Sequence, residues 1–174
     1  ISGCSPLLVT FEDQSLNKPT SWSWDFGDGI FIPGGPNPSK IYLTPGKYTV
    51  ILAVTNASGT DTLRIREYIT VHPAPKTGFA ADDTVGCFPH TVKFTDTTSQ
   101  ITGYTNTTWE WNFGDGATSN SQHPTHTYTA SGNYKVTLKV TNDKGCSKAV
   151  SKDSYIKVSS GVVAGFTKSA PNIC

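Results

Sequence analysis

The 174-residue sequence contains no methionine, and its charge is sparse and balanced: 14 Lys and Arg against 13 Asp and Glu, a net charge of +1. Such a balance creates no field that would draw in a polyanion, and no Lys/Arg cluster is interleaved with aromatics, so nucleic-acid binding is excluded as an expectation. No apolar run approaches the ~18 to 20 residues of a spanning helix, and no basic stretch followed by an apolar run marks a signal peptide. Direct membrane insertion is therefore not expected. With no methionine and a start at Ile1-Ser2-Gly3-Cys4, the expectation is a segment of a longer protein whose export signal lies elsewhere. Also missing is any sustained 3.6-residue apolar period, which leaves no amphipathic helix to build a core from.

What is present is an internal repeat. Trp22-Ser23-Trp24-Asp25-Phe26-Gly27-Asp28-Gly29 returns as Trp109-Glu110-Trp111-Asn112-Phe113-Gly114-Asp115-Gly116, 87 residues on. Tyr48 to Asn56 returns as Tyr134 to Asn142 at an offset of 86, and Gly3-Cys4-Ser5-Pro6 as Gly86-Cys87-Phe88-Pro89 at 83. The drift falls in loops, with a longer loop expected between Thr97 and Thr108. A third copy opens at Gly165-Phe166-Thr167, which echoes Gly78-Phe79-Ala80, and Cys174 follows Cys87 by 87 residues. Only three residues precede Cys4, so the opening strand of the first copy is expected to lie ahead of this stretch. The expected organisation is repeat 1 over 1–74, repeat 2 over 75–160 and the start of a third over 161–174, with His72-Pro73-Ala74-Pro75 limiting bending at the first junction.

Each copy reads as strands. Val9 and Phe11, Val92 and Phe94, and the sets Trp22/Trp24/Phe26 and Trp109/Trp111/Phe113 keep the period of two of a half-buried strand. Tyr134, Val136, Leu138 and Val140 alternate with Lys135, Thr137 and Lys139. Gly, Pro and Asn clusters punctuate the runs. About seven short strands per copy, joined by turns, give an all-β fold of tandem sandwiches.

The Trp-x-Trp-[Asp/Asn]-Phe-Gly-Asp-Gly signature, with the Gly-x-Tyr-x-Val-x-Leu-x-Val-x-Asn strand and a Tyr-Ile-x-Val end, resembles the PKD domain in the form common in secreted proteins of the Bacteroidota. The likeness covers nearly the whole chain, although Ile41-Tyr42 departs from His126-Thr127-Tyr128. It implies an immunoglobulin-like sandwich used as a spacer, adhesion or interaction module. Such arrays occur in large surface adhesins, including gliding-motility adhesins, and beside the catalytic domains of secreted proteases and chitinases.

No catalytic, metal or cofactor site is expected. Asp28 and Asp115 sit between glycines, where Gly27, Gly29, Gly114 and Gly116 supply positive φ and the aspartate bonds its own backbone. Neither Asp13/Asp25/Asp28 nor Asp96/Asp115 forms a recognisable calcium loop. His123 and His126 lie on a strand approach, with His72 and His90 far off, which speaks against zinc. No Gly-x-Ser-x-Gly elbow is present. The tryptophans are in phase with Phe26 and Phe113 and so read as core, with Trp24 and Trp111 at its centre, in preference to sugar-stacking platforms. The exposed candidate is Ile30-Phe31-Ile32, because the second copy has Ala117-Thr118-Ser119 there; this patch is expected to meet a neighbouring repeat or a partner.

Four cysteines in a Thr-rich β chain point to disulfides and an oxidising compartment. Cys4, Cys87 and Cys174 hold equivalent positions, and Cys146 follows the Asn142 to Gly145 turn. The family resemblance implies a Cys87–Cys146 bond within repeat 2. Counting strands in a strictly alternating sandwich separates those two ends of a domain and favours Cys4–Cys146 between repeats. Both pairings stand at this point. Thr62, Thr84 and Thr97 fit the Asp-Thr-x acceptor pattern of Bacteroidota O-glycosylation. The expected role is a non-catalytic, extracellular or cell-surface adhesin stalk whose partners are neighbouring repeats, surface glycans or other surface proteins. The alternative is an accessory module of a secreted protease or chitinase.

Overall fold

The computed structural model describes residues 1–161, all β among them. The chain runs through β1 (Ser2–Cys4), β2 (Leu7–Thr10), β3 (Ser21–Asp25), β4 (Ile32–Gly34), β5 (Ser39–Tyr42), β6 (Gly46–Asn56) and β7 (Gly59–His72). It continues through β8 (Phe79–Ala81), β9 (Val85–Cys87), β10 (His90–Asp96), β11 (Asn106–Asn112), β12 (Thr118–Ser119), β13 (Thr125–Tyr128), β14 (Gly132–Asn142) and β15 (Ser147–Ser159). The residues form two compact units. The first contains Ile1–Lys76 with Gln100–Thr107 and Thr141–Lys148, and the second contains Thr77–Ser99, Thr108–Val140 and the chain from Ala149 on. The repeat boundary at residue 75 assigns the 100–107 and 141–148 loops to the second copy, whereas their contacts group them with the first unit.

Both units are immunoglobulin-like sandwiches built alike. In the first, a five-stranded sheet β1-β7-β6-β3-β4 faces the pair β2-β5. In the second, β9-β15-β14-β11-β12 faces the three-stranded β13-β10-β8. The sheets close over residues of period two: Val9, Phe11, Trp24, Phe26, Tyr42, Val50, Leu52, Ile69 and Val71 in the first unit. In the second, Val136, Leu138, Val140 and Ile156 are wholly buried against Trp111, Phe113, Phe94 and Val92. Burying each such side chain stabilises by roughly 1.5 to 3 kcal/mol.

Two features depart from strict alternation. The opening strand of each copy runs parallel to its last: Ser2 pairs with Thr70 and Cys4 with His72, while Val85 pairs with Lys157 and Cys87 with Ser159. Parallel pairing carries each leading cysteine to the end of its own last strand, not to the far end of the sandwich. The second is a local irregularity where Glu67 (φ 50°) and Ser154 (φ 48°) occupy the left-handed region at equivalent positions. In the first unit, a register shift between Tyr48 and Val50 on the facing strand accompanies Glu67.

Candidate functional site

The signature turns of both copies are closed by their own polar side chains and glycines. Gly114 has φ 88°, and a Cβ there would stand 2.4 Å from the Lys135 carbonyl oxygen, so only glycine fits. In the first copy the buried Asp25 (5% exposed) accepts the N–H groups of Gly27 at 2.8 Å, Asp28 at 3.2 Å and Gly29 at 3.1 Å on one oxygen. Asp28 accepts only the Ile30 N–H there, at 3.2 Å. Asn112 stands in for Asp25 in the second copy and accepts the Gly114 N–H at 2.9 Å, while Asp115 accepts that of Ala117 at 3.0 Å. These carboxylates close their own turns.

Beyond the turn each second Asp meets a basic side chain on β5 or β13. The His126 Nε2 lies 2.7 Å from Asp115, its ring stacked 4.3 Å from Phe113. Lys40 occupies the matching position, 3.7 Å from Asp28 and 5.6 Å from the Phe26 ring. Partial burial pushes the Asp115 carboxyl up, but the Ala117 N–H and His126 outweigh it and hold the group below its ordinary value. For Asp28 the Ile30 N–H acts first and Lys40 adds to it, again lowering the pKa.

The tryptophans are anchored by their indole N–H groups. Trp22 donates to Asp13 at 2.6 Å and Trp109 to Asp96 at 2.8 Å; Trp24 donates to the Gly35 carbonyl at 3.2 Å and Trp111 to that of Ser121 at 2.9 Å. Tyr42 and Tyr128 donate to the Phe26 and Phe113 carbonyls at 3.1 and 3.0 Å. Burial pushes the Tyr42 phenol up to about 12 and raises that of Tyr128 as well. Trp24 and Trp111 are buried in their cores, and the outer Trp22 and Trp109 are half-buried and packed against them.

The first unit also holds an open cleft of about 980 Å³ whose floor includes Phe11, Trp24, Val50, Leu52 and Val54, with Leu63, Ile65 and Tyr68 along one side. In the second unit the equivalent space is occupied by β8, whose Phe79 packs 5.3 Å from the Trp111 ring and 5.5 Å from Tyr155; the first-copy position matching β8 falls ahead of Ile1.

The cysteines divide. Cys4 is bonded to Cys146 across a sequence separation of 142 residues, with Cα atoms 5.4 Å apart, and Cys87 is a free, exposed thiol. The pairing implied by the family resemblance, Cys87 with Cys146, is not the one adopted. Parallel β1–β7 pairing delivers Cys4 to His72, and the Asn142 to Cys146 turn lies beside it in the same unit. That turn is organised by Asn142, which is 3% exposed: its Oδ1 accepts the Cys146 and Lys144 N–H groups at 3.0 and 3.1 Å, and its Nδ2 donates to the Pro73 carbonyl at 3.0 Å. The long loop of the second copy contributes Tyr104, whose hydroxyl lies 3.2 Å from His72 Nδ1. Cys174 and Gly165-Phe166-Thr167 lie outside the described residues.

Ile30, Phe31 and Ile32 are 62, 46 and 44% exposed, on the edge beside β3. Thr62 and Thr97 are exposed and Thr84 half-buried. Among the described residues no group of three or more His, Cys, Asp or Glu is placed to hold a metal ion. Sequence reasoning weighed Asp25 only as a calcium ligand and missed its turn-closing role, the burial of Asn142 and the basic side chain opposite each second Asp. Aligning the copies on Tyr42 and Tyr128 would have found the last, since it sets Lys40 against His126.

Comparison with known proteins places these features in context. The family model described as PKD domain matches residues 4–71 and again 72–158. The pre-pro-metalloprotease PrtV of Vibrio cholerae is 29% identical over 136 residues, covering 78% of this chain and 14% of that protein. Collagenase ColQ1 of Bacillus cereus is 42% identical over 62 residues, 36% of this chain and 6% of that protein. The chain thus spans a small fraction of the length of these curated relatives. Among solved structures, the PKD1 domain of V. cholerae PrtV is 35% identical, with a TM-score of 0.42 over 49% of this chain and 96% of that one. The PKD1 domain of Vibrio anguillarum Epp is 26% identical with a TM-score of 0.43, at the same coverages. Matched twice in succession over most of its length, the chain belongs to the PKD domain family.

Proposed function

We propose that the chain is a non-catalytic accessory segment of an extracellular hydrolase, acting as a covalently stapled spacer. One observation carries the spacer reading: the Cys4–Cys146 bond spans 142 residues of sequence and joins the first repeat to a turn of the second. A chain pulled from its ends cannot pay out the residues enclosed by that bond, whatever happens to the folds inside it. The segment is therefore limited in extension covalently as well as by its cores. A disulfide of this kind belongs to an oxidising compartment, which supports an extracellular or cell-surface location. The hydrolase assignment draws on the relatives named as a pre-pro-metalloprotease and a collagenase. Its polar clusters fit the role, because the Asp carboxylates are engaged in closing turns and anchoring indoles.

Single-molecule extension tests the spacer. Pulled under oxidising conditions, the chain should release only the short stretches outside the bond; with reductant it should release roughly 450 to 500 Å more. Equal lengths in both conditions would overturn it. The adhesin-stalk reading is favoured by a different observation, the return of Gly165-Phe166-Thr167 and Cys174 at the 87-residue period. Intact mass and peptide mapping of the natural parent separate the two. One catalytic domain beside few repeats supports the hydrolase arm, and a very large chain of many repeats supports the stalk, with Ile30-Phe31-Ile32 as its partner-facing patch.

A further inference from the structure

The outer face of the large sheet is built differently in the two copies. The left-handed residues Glu67 and Ser154 fix the correspondence, so that Arg64 and Arg66 on β7 match Ser151 and Asp153 on β15. In the second copy this face neutralises itself: Lys135 lies 3.0 Å from Asp153, Lys139 lies 2.9 Å from Glu110, and the Thr137 and Ser151 hydroxyls are 2.8 Å apart. In the first copy Thr49, Ile51 and Ala53 replace Lys135, Thr137 and Lys139, and Arg64 stands opposite Ile51. Both arginines are exposed, and among the described residues neither forms an ion pair or a side-chain hydrogen bond. This side of the fold is open in a copy that has β8 in place as well, since the Asp153 side chain is 82% exposed there.

Thr49, Arg64, Arg66 and Glu67 line a shallow depression. The period of two along β7 sets Arg64 and Arg66 on the side away from Leu63 and Ile65, with Cα atoms about 6.7 Å apart. Thr49 Oγ1 accepts the Glu67 N–H at 3.3 Å, which leaves its own hydrogen free to donate. The Glu67 carboxylate is taken by Lys47 at 2.5 Å. What remains is a pair of permanently charged guanidiniums beside a hydroxyl donor, with no carboxylate to satisfy them.

We infer that this depression binds a sulfate ester of an anionic polysaccharide, with Arg64 and Arg66 as the anion-binding pair and Thr49 as a third donor. The uncompensated charge calls for an anion. Donors that reach in from β6 and from two positions on β7 suit a sulfate ester, whose three terminal oxygens point in different directions; a planar carboxylate is filled by a single guanidinium fork. The neighbours on this side of the sheet are Ser23, Thr62 and Thr70, with Ile51 and Ala53 half-buried between them. No aromatic anchor joins them, because Trp22, Trp24, Tyr48 and Tyr68 all pack on the core. A protein partner is held chiefly through such anchors, whereas hydroxyls and guanidiniums match a polyhydroxylated, charged chain.

The test is calorimetric titration of the intact 174-residue chain with dextran sulfate, with neutral dextran as the reference. Binding should be confined to dextran sulfate, weaken as salt rises, and stay level between about pH 5 and 8, where neither a sulfate ester nor an arginine titrates. Arg64→Gln combined with Arg66→Gln should weaken it at least about tenfold. Arg64→Ser combined with Arg66→Asp, the residues that the second copy carries on the same backbone, should abolish it without lowering the melting temperature. Lys76→Gln combined with Lys157→Gln removes as much charge from exposed positions elsewhere and should leave binding nearly unchanged. Absence of binding to dextran sulfate overturns the proposal. So does an equal loss in the Lys76 and Lys157 variant, which would mean diffuse attraction to net charge. Inorganic sulfate that competes as well as the polymer at equal sulfate concentration overturns the polysaccharide as ligand, and polyglutamate that displaces it at equal charge overturns it in favour of an acidic protein.

Discussion

The two units carry the same five-stranded sheet, the same paired indole anchors and the same glycine turns, and they differ in that β8 covers the second core whereas the position matching β8 in the first copy falls ahead of Ile1. In the second, Val92, Val136, Leu138, Val140 and Ile156 are all fully buried. In the first, the matching Val9, Val50 and Leu52 keep 5 to 7% exposure, whereas Ile69 and Val71, on β7 beside β1, are sealed as well. The contrast locates the source of closure. The large sheet is set by β3, β6 and β7 and their counterparts, whereas the last layer of burial depends on one short strand carrying a single phenylalanine.

The largest expected effect separates the two leading cysteines. Replacing both Cys4 and Cys146 by alanine should destabilise the chain by about 4 kcal/mol, since the bond closes a long loop in the unfolded chain. Cys87→Ser, at the equivalent but exposed position, should stay within about 0.5 kcal/mol. Denaturant unfolding of the two variants measures both, and equal losses would mean that the cysteine position matters for packing and not for the bond.

Next in size is a change that makes the second unit resemble the first. Phe79→Ala empties the space over Trp111 and should cost about 3 kcal/mol. Residue-resolved hydrogen exchange should show Phe94 to Asp96 and the β15 residues around Val150 losing protection while the first unit keeps its own. If protection is unchanged, β8 is an ornament on a core already closed, and the contrast between the units needs another cause.

A smaller effect has the opposite sign. His90 is buried in the second unit with an Nε2 that has no hydrogen-bond partner, and Leu7 holds the matching place in the first. His90→Leu removes an unsatisfied buried polar atom and borrows a side chain this fold already accommodates beside the glycine of β1. It should stabilise by about 1 kcal/mol, read as a raised melting temperature. A lowered one would mean that His90 Nε2 finds a bound water whose loss outweighs the gain.

Much of this architecture was legible in the sequence because it is written in local signals. The repeat, the period of two at Tyr134 to Val140, and the glycines of the Phe-Gly-Asp-Gly turns each depend on neighbours a few residues away. What was not legible depends on pairing between distant strands. Strand counting offered Cys4–Cys146 beside Cys87–Cys146, and the choice between them rests on the parallel run of β1 on β7, whose direction no residue within Ser2 to Cys4 announces. Leu63 and Ile65 read as ordinary strand residues; their counterparts in the second copy, Val150 and Lys152, lie near β8, whose first-copy position falls ahead of Ile1. Asn142 reads in the sequence as the end of an alternating strand; its burial and its three backbone hydrogen bonds appear only when the Cys146 turn folds back on it.

The smallest effect distinguishes the two turn cations by acid. Both Asp28 and Asp115 have carboxyls held below the ordinary value of 3.8, so each contributes stability that is full above that value and is lost as pH falls through the lower folded-state pKa. The contribution at Asp115 should be the larger. Its partner is closer, 2.7 Å against 3.7 Å, and its side chain is 23% exposed where that of Asp28 is 45% and therefore more strongly screened by water. Chemical denaturation followed from pH 6 downward should thus show Asp115→Asn flattening the acid slope more than Asp28→Asn. In the Asp115→Asn background, replacing His126 by lysine should then change the slope little, because the charge it faced is gone. If Asp28→Asn flattens the slope as much, the ion pair matters less than the turn N–H bonds the two copies share, and the cation beside each Phe ring is held by the ring alone.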